Sequence, residues 1–180
     1  MNAIPAREKK NNGGYTLVEL ITVISIMMVI SGVAVLSINT IFSQDAKKTA
    51  ITIDDALSEI RMLSMSKSGD FVMTVQPDPS DSKKHTIIIT RGGNPYKTID
   101  VDRSVLITLN KGETELVGSG GDIVVTFDKS TGKVTNIGAT ETAGAAADSL
   151  YEIRIVAQNG SSKTATVFIV ANTGRHYTDK

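Results

Sequence analysis

The sequence predicts an α+β fold: a long N-terminal helix packed on a mainly antiparallel β domain. Three observations predict it. A charge-free run, Leu20–Ile38, gives way to apolar residues spaced by three and four, namely Ala46, Ala50, Ile53, Leu57, Ile60 and Leu63. No Pro occurs between Pro5 and Pro77. From Phe71 the period shortens to two, in Val-, Ile- and Thr-rich segments separated by turn residues.

The helix is expected from about Tyr15 to about Ser68, with Gly69 as its stop. At 1.5 Å per residue that is roughly 80 Å of helix. Its first half is apolar all round and calls for lipid or other helices on every side. Its second half has one apolar face, with Lys47, Lys48, Asp54, Asp55, Glu59 and Arg61 mostly elsewhere, and lies against a domain.

Eight strands are expected: Phe71–Val75, Thr86–Arg91, Tyr96–Val101, Val105–Leu109, Asp122–Phe127, Lys133–Ile137, Tyr151–Gln158 and Thr164–Ala171. Turns are expected at Pro77-Asp78-Pro79, Gly92-Gly93-Asn94-Pro95, Ser130-Thr131-Gly132 and Asn159-Gly160, the last suited to the positive φ of a tight hairpin. Gly138 to Asp148 is small and polar and reads as a flexible surface loop.

Composition excludes several function classes. The chain has 180 residues, with 19 basic and 19 acidic, so no net charge draws it to nucleic acid. It has no Cys, which rules out disulfides and thiolate-held metal. Its two His residues, His85 and His176, stand far apart in sequence and read as surface residues beside strand ends. Asp100 and Asp102 share one strand face, but a third cation ligand is not identifiable. Gly118–Gly121 lacks the Lys of a phosphate loop and leads into a strand, so it reads as a turn. Asp128-Lys129-Ser130-Thr131-Gly132 lies between apolar strands and also reads as a turn. With no nucleophile elbow and no acid/base pair, the chain is expected to be no enzyme and to need no cofactor and no metal.

The N-terminus is the informative segment. Residues 1–14 are polar and carry Arg7, Lys9 and Lys10 against Glu8; this basic side should stay in the cytoplasm, with the C-terminal part outside. The 19 residues from Leu20 to Ile38 would cover about 28 Å as a helix, close to the hydrocarbon thickness of a bilayer. A secretory signal peptide has a shorter apolar core of about 7–15 residues. A plain membrane anchor accounts for the length but not for Glu19, because a carboxylate in a membrane helix costs about 2.5–3.5 kcal/mol at its centre and less near an end.

Gly13-Gly14-Tyr15-Thr16-Leu17-Val18-Glu19-Leu20-Ile21 closely resembles the prepilin cleavage and methylation motif of type IV pilin-like proteins. The resemblance implies a cut after Gly14, N-methylation of the new terminal residue Tyr15 in place of the usual Phe, and an assembly role for Glu19, the fifth mature residue. It divides the chain into a cleaved leader (1–14), an apolar transmembrane or filament-core half-helix (15–38), an amphipathic half-helix (39–68) and a globular β domain (69–180). The family's helix-bending Pro is missing, and Gly32 stands in the apolar half. Ile123–Gly132 and Thr173-Gly174-Arg175 resemble segments of the H-type minor pseudopilins of type II secretion.

The implied function is that of a minor pilin or pseudopilin in a type IV pilus-like or type II secretion filament. The implied partners are prepilin peptidase, other pilin or pseudopilin subunits, and the assembly platform with its ATPase. The implied location is the cytoplasmic membrane as a single-pass protein with its N-terminus inside, and then an extracytoplasmic filament. Two alternatives remain open: a plain membrane-anchored extracytoplasmic domain, and a filament-displayed binding module, an adhesin or DNA-uptake receptor, for which Lys83, Lys84, Arg91 and Lys97 are the nearest basic set.

Overall fold

A computed structural model describes residues 15–101, 104–140, 145–146, 149–158 and 163–179, leaving aside the side chains of 33–43 and 82–83. Its elements are α1 (Leu17–Ser66), β1 (Phe71–Asp78), β2 (Asp81–Arg91), β3 (Asn94–Val101), β4 (Val105–Lys111), β5 (Thr114–Val117), β6 (Ile123–Phe127), β7 (Val134–Gly138), β8 (Leu150–Ala157), β9 (Thr164–Val170) and β10 (Arg175–Thr178). The chain divides into two compact units, residues 1–38 and 39–180.

In the first unit α1 is helical through Gly32. Its described side chains are exposed all the way round, from Leu17 to Ile30. Thr22 and Ser25 donate their hydroxyls to the carbonyls of Val18 and Ile21, each at 2.8 Å, so these polar atoms are satisfied within the helix. Among the described residues no helix is long and apolar enough to cross a membrane.

The second unit contains the rest of α1 and two antiparallel five-stranded sheets, ordered β3-β2-β1-β6-β7 and β10-β9-β8-β4-β5. The expected helical stripe is buried: Ile53, Leu57 and Ile60 have no exposed surface. The strands obey the period of two, with Phe71, Met73 and Val75 of β1, Val105, Ile107 and Leu109 of β4, and Ile153 and Ile155 of β8 all facing inward. Helix stripe and inward strand residues form one core cluster. At about 25 cal/mol per Å² of apolar surface removed from water, this burial is the main force holding the unit together.

Two strands, β5 and β10, fall outside the sequence expectation. Each has four residues and few apolar ones, so alternation gives no signal, and they form by pairing with the longer β4 and β9. Pro77 and Asp78 lie within β1 rather than in a turn, because a register shift between them lets the strand continue. Asn94 and Pro95 start β3, an edge strand, where Pro's missing N–H costs no ladder bond. The turn between β2 and β3 is therefore only Gly92-Gly93, with φ of 57° and 81°, and Arg91 pairs with Asn94 across it. The Asn159-Gly160 turn lies outside the described residues, although β8 and β9 pair as expected on either side of it.

The segment read as a flexible surface loop is pinned in part. Gly138 ends β7, Ala145 packs against the core, and the Ala145 N–H donates to the Thr135 carbonyl at 3.0 Å. The Ala146 N–H donates to the Tyr151 hydroxyl at 3.0 Å. The Asp128–Gly132 turn forms as expected: Asp128 Oδ1 accepts the N–H and hydroxyl of both Ser130 and Thr131, and these bonds hold its carboxyl far below the usual range.

Neither histidine is a free surface residue. His85 alternates in phase with Ile87 and Ile89 and is buried among them. His176 is half-buried, with Nε2 2.8 Å from Ser58 Oγ and Nδ1 3.2 Å from the Gly174 carbonyl. A carbonyl only accepts, so Nδ1 carries the hydrogen and Nε2 accepts from Ser58 in the neutral ring. This fastens β10 to α1.

Arg61 supplies a second fastening. Its Nε donates to the Gly132 carbonyl at 3.1 Å and its Nη2 to the Thr173 carbonyl at 2.9 Å, so one guanidinium ties the β6–β7 and β9–β10 turns to the helix. Gly174 has a φ of 64°, and a Cβ there would run into the Gly132 carbonyl oxygen. Gly174→Ala is thus expected to destabilise the unit by about 2 kcal/mol or more, through both the left-handed backbone and the backbone clash. Gly120→Ala, at a glycine with open space around it, is expected to change stability far less. Thermal unfolding of a fragment beginning near Ser43, which keeps the whole core cluster, measures both. Aggregation of the unmutated fragment, or the absence of a cooperative transition, would contradict the division of the chain.

Candidate assembly site at the start of the helix

The residues around the start of α1 are the ones the sequence marks. Gly14 lies outside the described residues. Tyr15 is the first described residue, and its side chain is exposed. Thr16 is the N-cap of α1 and Glu19 is its third helical residue.

These two residues close a reciprocal pair of bonds. The Glu19 N–H donates to Thr16 Oγ1 at 3.2 Å, and the Thr16 N–H donates to Glu19 Oε2 at 2.8 Å. The Thr16 hydroxyl also donates to Glu19 Oε2, at 2.9 Å. This is a capping box, which satisfies two backbone donors that a helix start leaves without partners. The negative carboxylate also sits at the positive end of the helix dipole. The signal lies in the sequence as Thr16-x-x-Glu19, but reading Glu19 only as an intersubunit group passes over it.

The cap has a consequence for the chemistry of the terminus. It turns the Glu19 carboxylate back toward the backbone nitrogen of Thr16, one peptide unit from Tyr15. A free amine at Tyr15 would be cationic near neutral pH. The carboxylate has lone pairs left after accepting both Thr16 bonds, so it can hold the cap and face such an amine together.

The other sequence candidates are not assembled into a site. Asp102 and the side chain of Lys83 lie outside the description. Lys97 is in an ion pair with Glu59 at 2.6 Å, and Arg91 donates through Nε and Nη2 to the Ser68 carbonyl at 3.1 and 2.6 Å. Two of the four members of the basic set are thus engaged within the domain. Among the described residues no group of three His, Asp or Glu is placed to hold a metal.

Residues 9–35 match the model of the prokaryotic N-terminal methylation motif. The chain carries a type IV pilin-like prepilin motif. The match takes in Gly14, Tyr15, the capping box and the charge-free start of α1. Neither the curated proteins nor the solved structures gave a match to the chain.

Two substitutions separate the cap that Glu19 forms from its charge. Glu19→Gln keeps an oxygen that can accept the Thr16 N–H, whereas Glu19→Ala loses the cap and the charge together. Both variants leave Gly14 intact and are expected to be processed. If the charge of Glu19 serves filament assembly, Glu19→Gln is expected to keep the helix start and still fail to enter filaments, and Glu19→Ala to fail as well. Recovery in sheared filaments checks this. Normal incorporation of Glu19→Gln would mean that the cap, and not the charge, is what assembly requires.

Proposed function

We propose that this chain is a structural subunit, a minor pilin or pseudopilin, of a type IV pilus-like or type II secretion filament. It is cut between Gly14 and Tyr15, N-methylated on Tyr15 and polymerised through the first half of α1. The observation that carries this reading is the pairing of the prepilin motif with a helix whose described apolar half is exposed on every side. A helix apolar all round is stable in water only if something covers it. In the precursor that cover is lipid: the charge-free run continues in sequence to Ile38, 19 residues from Leu20, enough for about 28 Å of helix in a single pass. In the filament the cover is the helices of neighbouring subunits.

Processing changes the electrostatics of the terminus. Loss of residues 1–14 removes three basic and one acidic residue, leaving 16 basic against 18 acidic residues, a net charge of −2. It also creates the Tyr15 amine beside Glu19. In an apolar filament core an amine and a carboxylate stabilise each other when paired and are costly when alone. Glu19 thereby sets the axial register of one subunit on the next. Prepilin peptidase, the assembly platform with its ATPase, and other pilins or pseudopilins are the partners this reading requires. It gives the chain no catalytic role. The H-type pseudopilin assignment rests on the sequences of the two turns that Arg61 holds together.

Intact-mass analysis of the protein recovered from the cell envelope tests the processing step. A methylated species beginning at Tyr15 is expected. A species beginning at Met1, or one cut after the apolar run, would overturn the reading.

A further inference from the structure

Ser58 of α1 and His176 of β10 stand 118 residues apart in sequence, and the fold brings Ser58 Oγ within 2.8 Å of His176 Nε2. The other ring nitrogen, Nδ1, lies 3.2 Å from the Gly174 carbonyl. That carbonyl fixes the tautomer of the neutral ring: the hydrogen is on Nδ1, and the lone pair of Nε2 faces the serine hydroxyl. A hydroxyl bonded to a basic nitrogen, on a ring oriented from its far side, is the arrangement that activates a serine for attack. Ser58 is exposed, so a substrate can reach it.

The surroundings fit the same chemistry. Ser58, Arg61, Met62, Met65 and His176 line one open groove of about 370 Å³. On the helix the first four recur at i, i+3, i+4 and i+7 and so share a face. Met62 and Met65 are exposed and give the groove an apolar side. Arg61 donates once through Nε and once through Nη2 to the Gly132 and Thr173 carbonyls. A guanidinium has five N–H groups, so Arg61 keeps donors and a positive charge for an oxygen in the groove. Asp54 Oδ1 lies 4.0 Å from Nε2, and no hydrogen bond satisfies that oxygen among the described residues. A carboxylate in this place stabilises an imidazolium when one forms. The charged and titratable groups around the ring are Asp54, with Asp55 beside it, and Arg61 from α1, and Arg175 and Tyr177 from β10. The acids favour the imidazolium and the arginines oppose it.

We propose that Ser58 and His176 form a nucleophile–base pair that takes up the acyl group of small activated esters, an activity separate from the structural role proposed above. The Ser58 oxygen bonds to the ester carbonyl carbon as its proton passes to Nε2. The carbonyl oxygen becomes an anion on the side of Arg61. The bond to the leaving oxygen then breaks, and that oxygen takes the proton from Nε2, leaving acyl-Ser58. Water attacks the acyl carbon in the same way and gives a proton to Nε2. Ser58 departs with that proton, and the carboxylic acid is released.

Acetylation of the full chain in detergent micelles by p-nitrophenyl acetate tests the pair, with each acetylated serine quantified by peptide mass spectrometry. Ser58 is expected to acetylate about a hundredfold faster than the exposed Ser66 of the same helix, the lower range of what a positioned general base supplies. Its rate is expected to rise between about pH 5 and 8, where histidine loses its proton. His176→Ala is expected to bring Ser58 down to the Ser66 rate. Asp54→Asn is expected to slow Ser58 and to move its rise to lower pH, which loss of a structural contact alone would not do. Hydrogen-exchange protection of the β8–β9 pair shows that each variant is folded. Acetylation of Ser58 in the unmutated chain no faster than that of Ser66, or an unchanged rate in His176→Ala, would overturn the proposal.

Discussion

α1 meets two opposite demands, and the rest of the molecule is arranged around them. Between Ala46 and Leu63 it presents a stripe that must be removed from water, and two five-stranded sheets supply the cover. Between Leu17 and Ile30 it presents apolar side chains on every face with no cover from the described chain; Leu17 is 74% exposed and Met28 71%. The hydrophobic effect scales with area and has no direction, so the first half is driven toward whatever apolar surface is available. The methylation motif at 9–35 covers this exposed stretch, and in the function proposed above that surface is first the bilayer and then other subunits.

At the start of the helix a local cap and the proposed intersubunit role fall on one residue, Glu19. A helix that begins beside the proposed cleavage site could not rely on upstream sequence for its cap after the cut. Thr16 and Glu19 provide the cap from the mature side of Gly14, with bonds of 2.8 to 3.2 Å that do not involve the leader. The same carboxylate lies one peptide unit from the amine that the proposed cut before Tyr15 would create. A single glutamate therefore caps the first turn and, in the proposed filament, would also offset the new amine and carry register.

Much of this is legible in the sequence, for physical reasons that also explain the gaps. The Ala46–Leu63 stripe places the amphipathic half-helix because a period of three and four has no other regular solution, and the eight alternating segments all appear as strands, although β1 runs on to Asp78 and β2 begins at Asp81, five residues before the expected Thr86. β5 and β10 were not legible because strands of four mostly polar residues exist only through their neighbours. His85 is polar by type but stands in phase with Ile87 and Ile89, and the phase, not the type, decides its burial. The junction of Gly132, Gly174 and Arg61 joins parts of the chain more than forty residues apart, and no local pattern announces it. The capping box is legible as Thr16-x-x-Glu19, a local pattern that falls on the same glutamate as the prepilin motif.

In the proposed function, cleavage moves the apolar half of α1 from lipid to other helices. Fractionation of cells with and without prepilin peptidase tests this. With the peptidase, the chain should appear in the sheared filament fraction, beginning at Tyr15; without it, the chain should remain full-length in the membrane fraction. An identical distribution in both backgrounds would contradict the account.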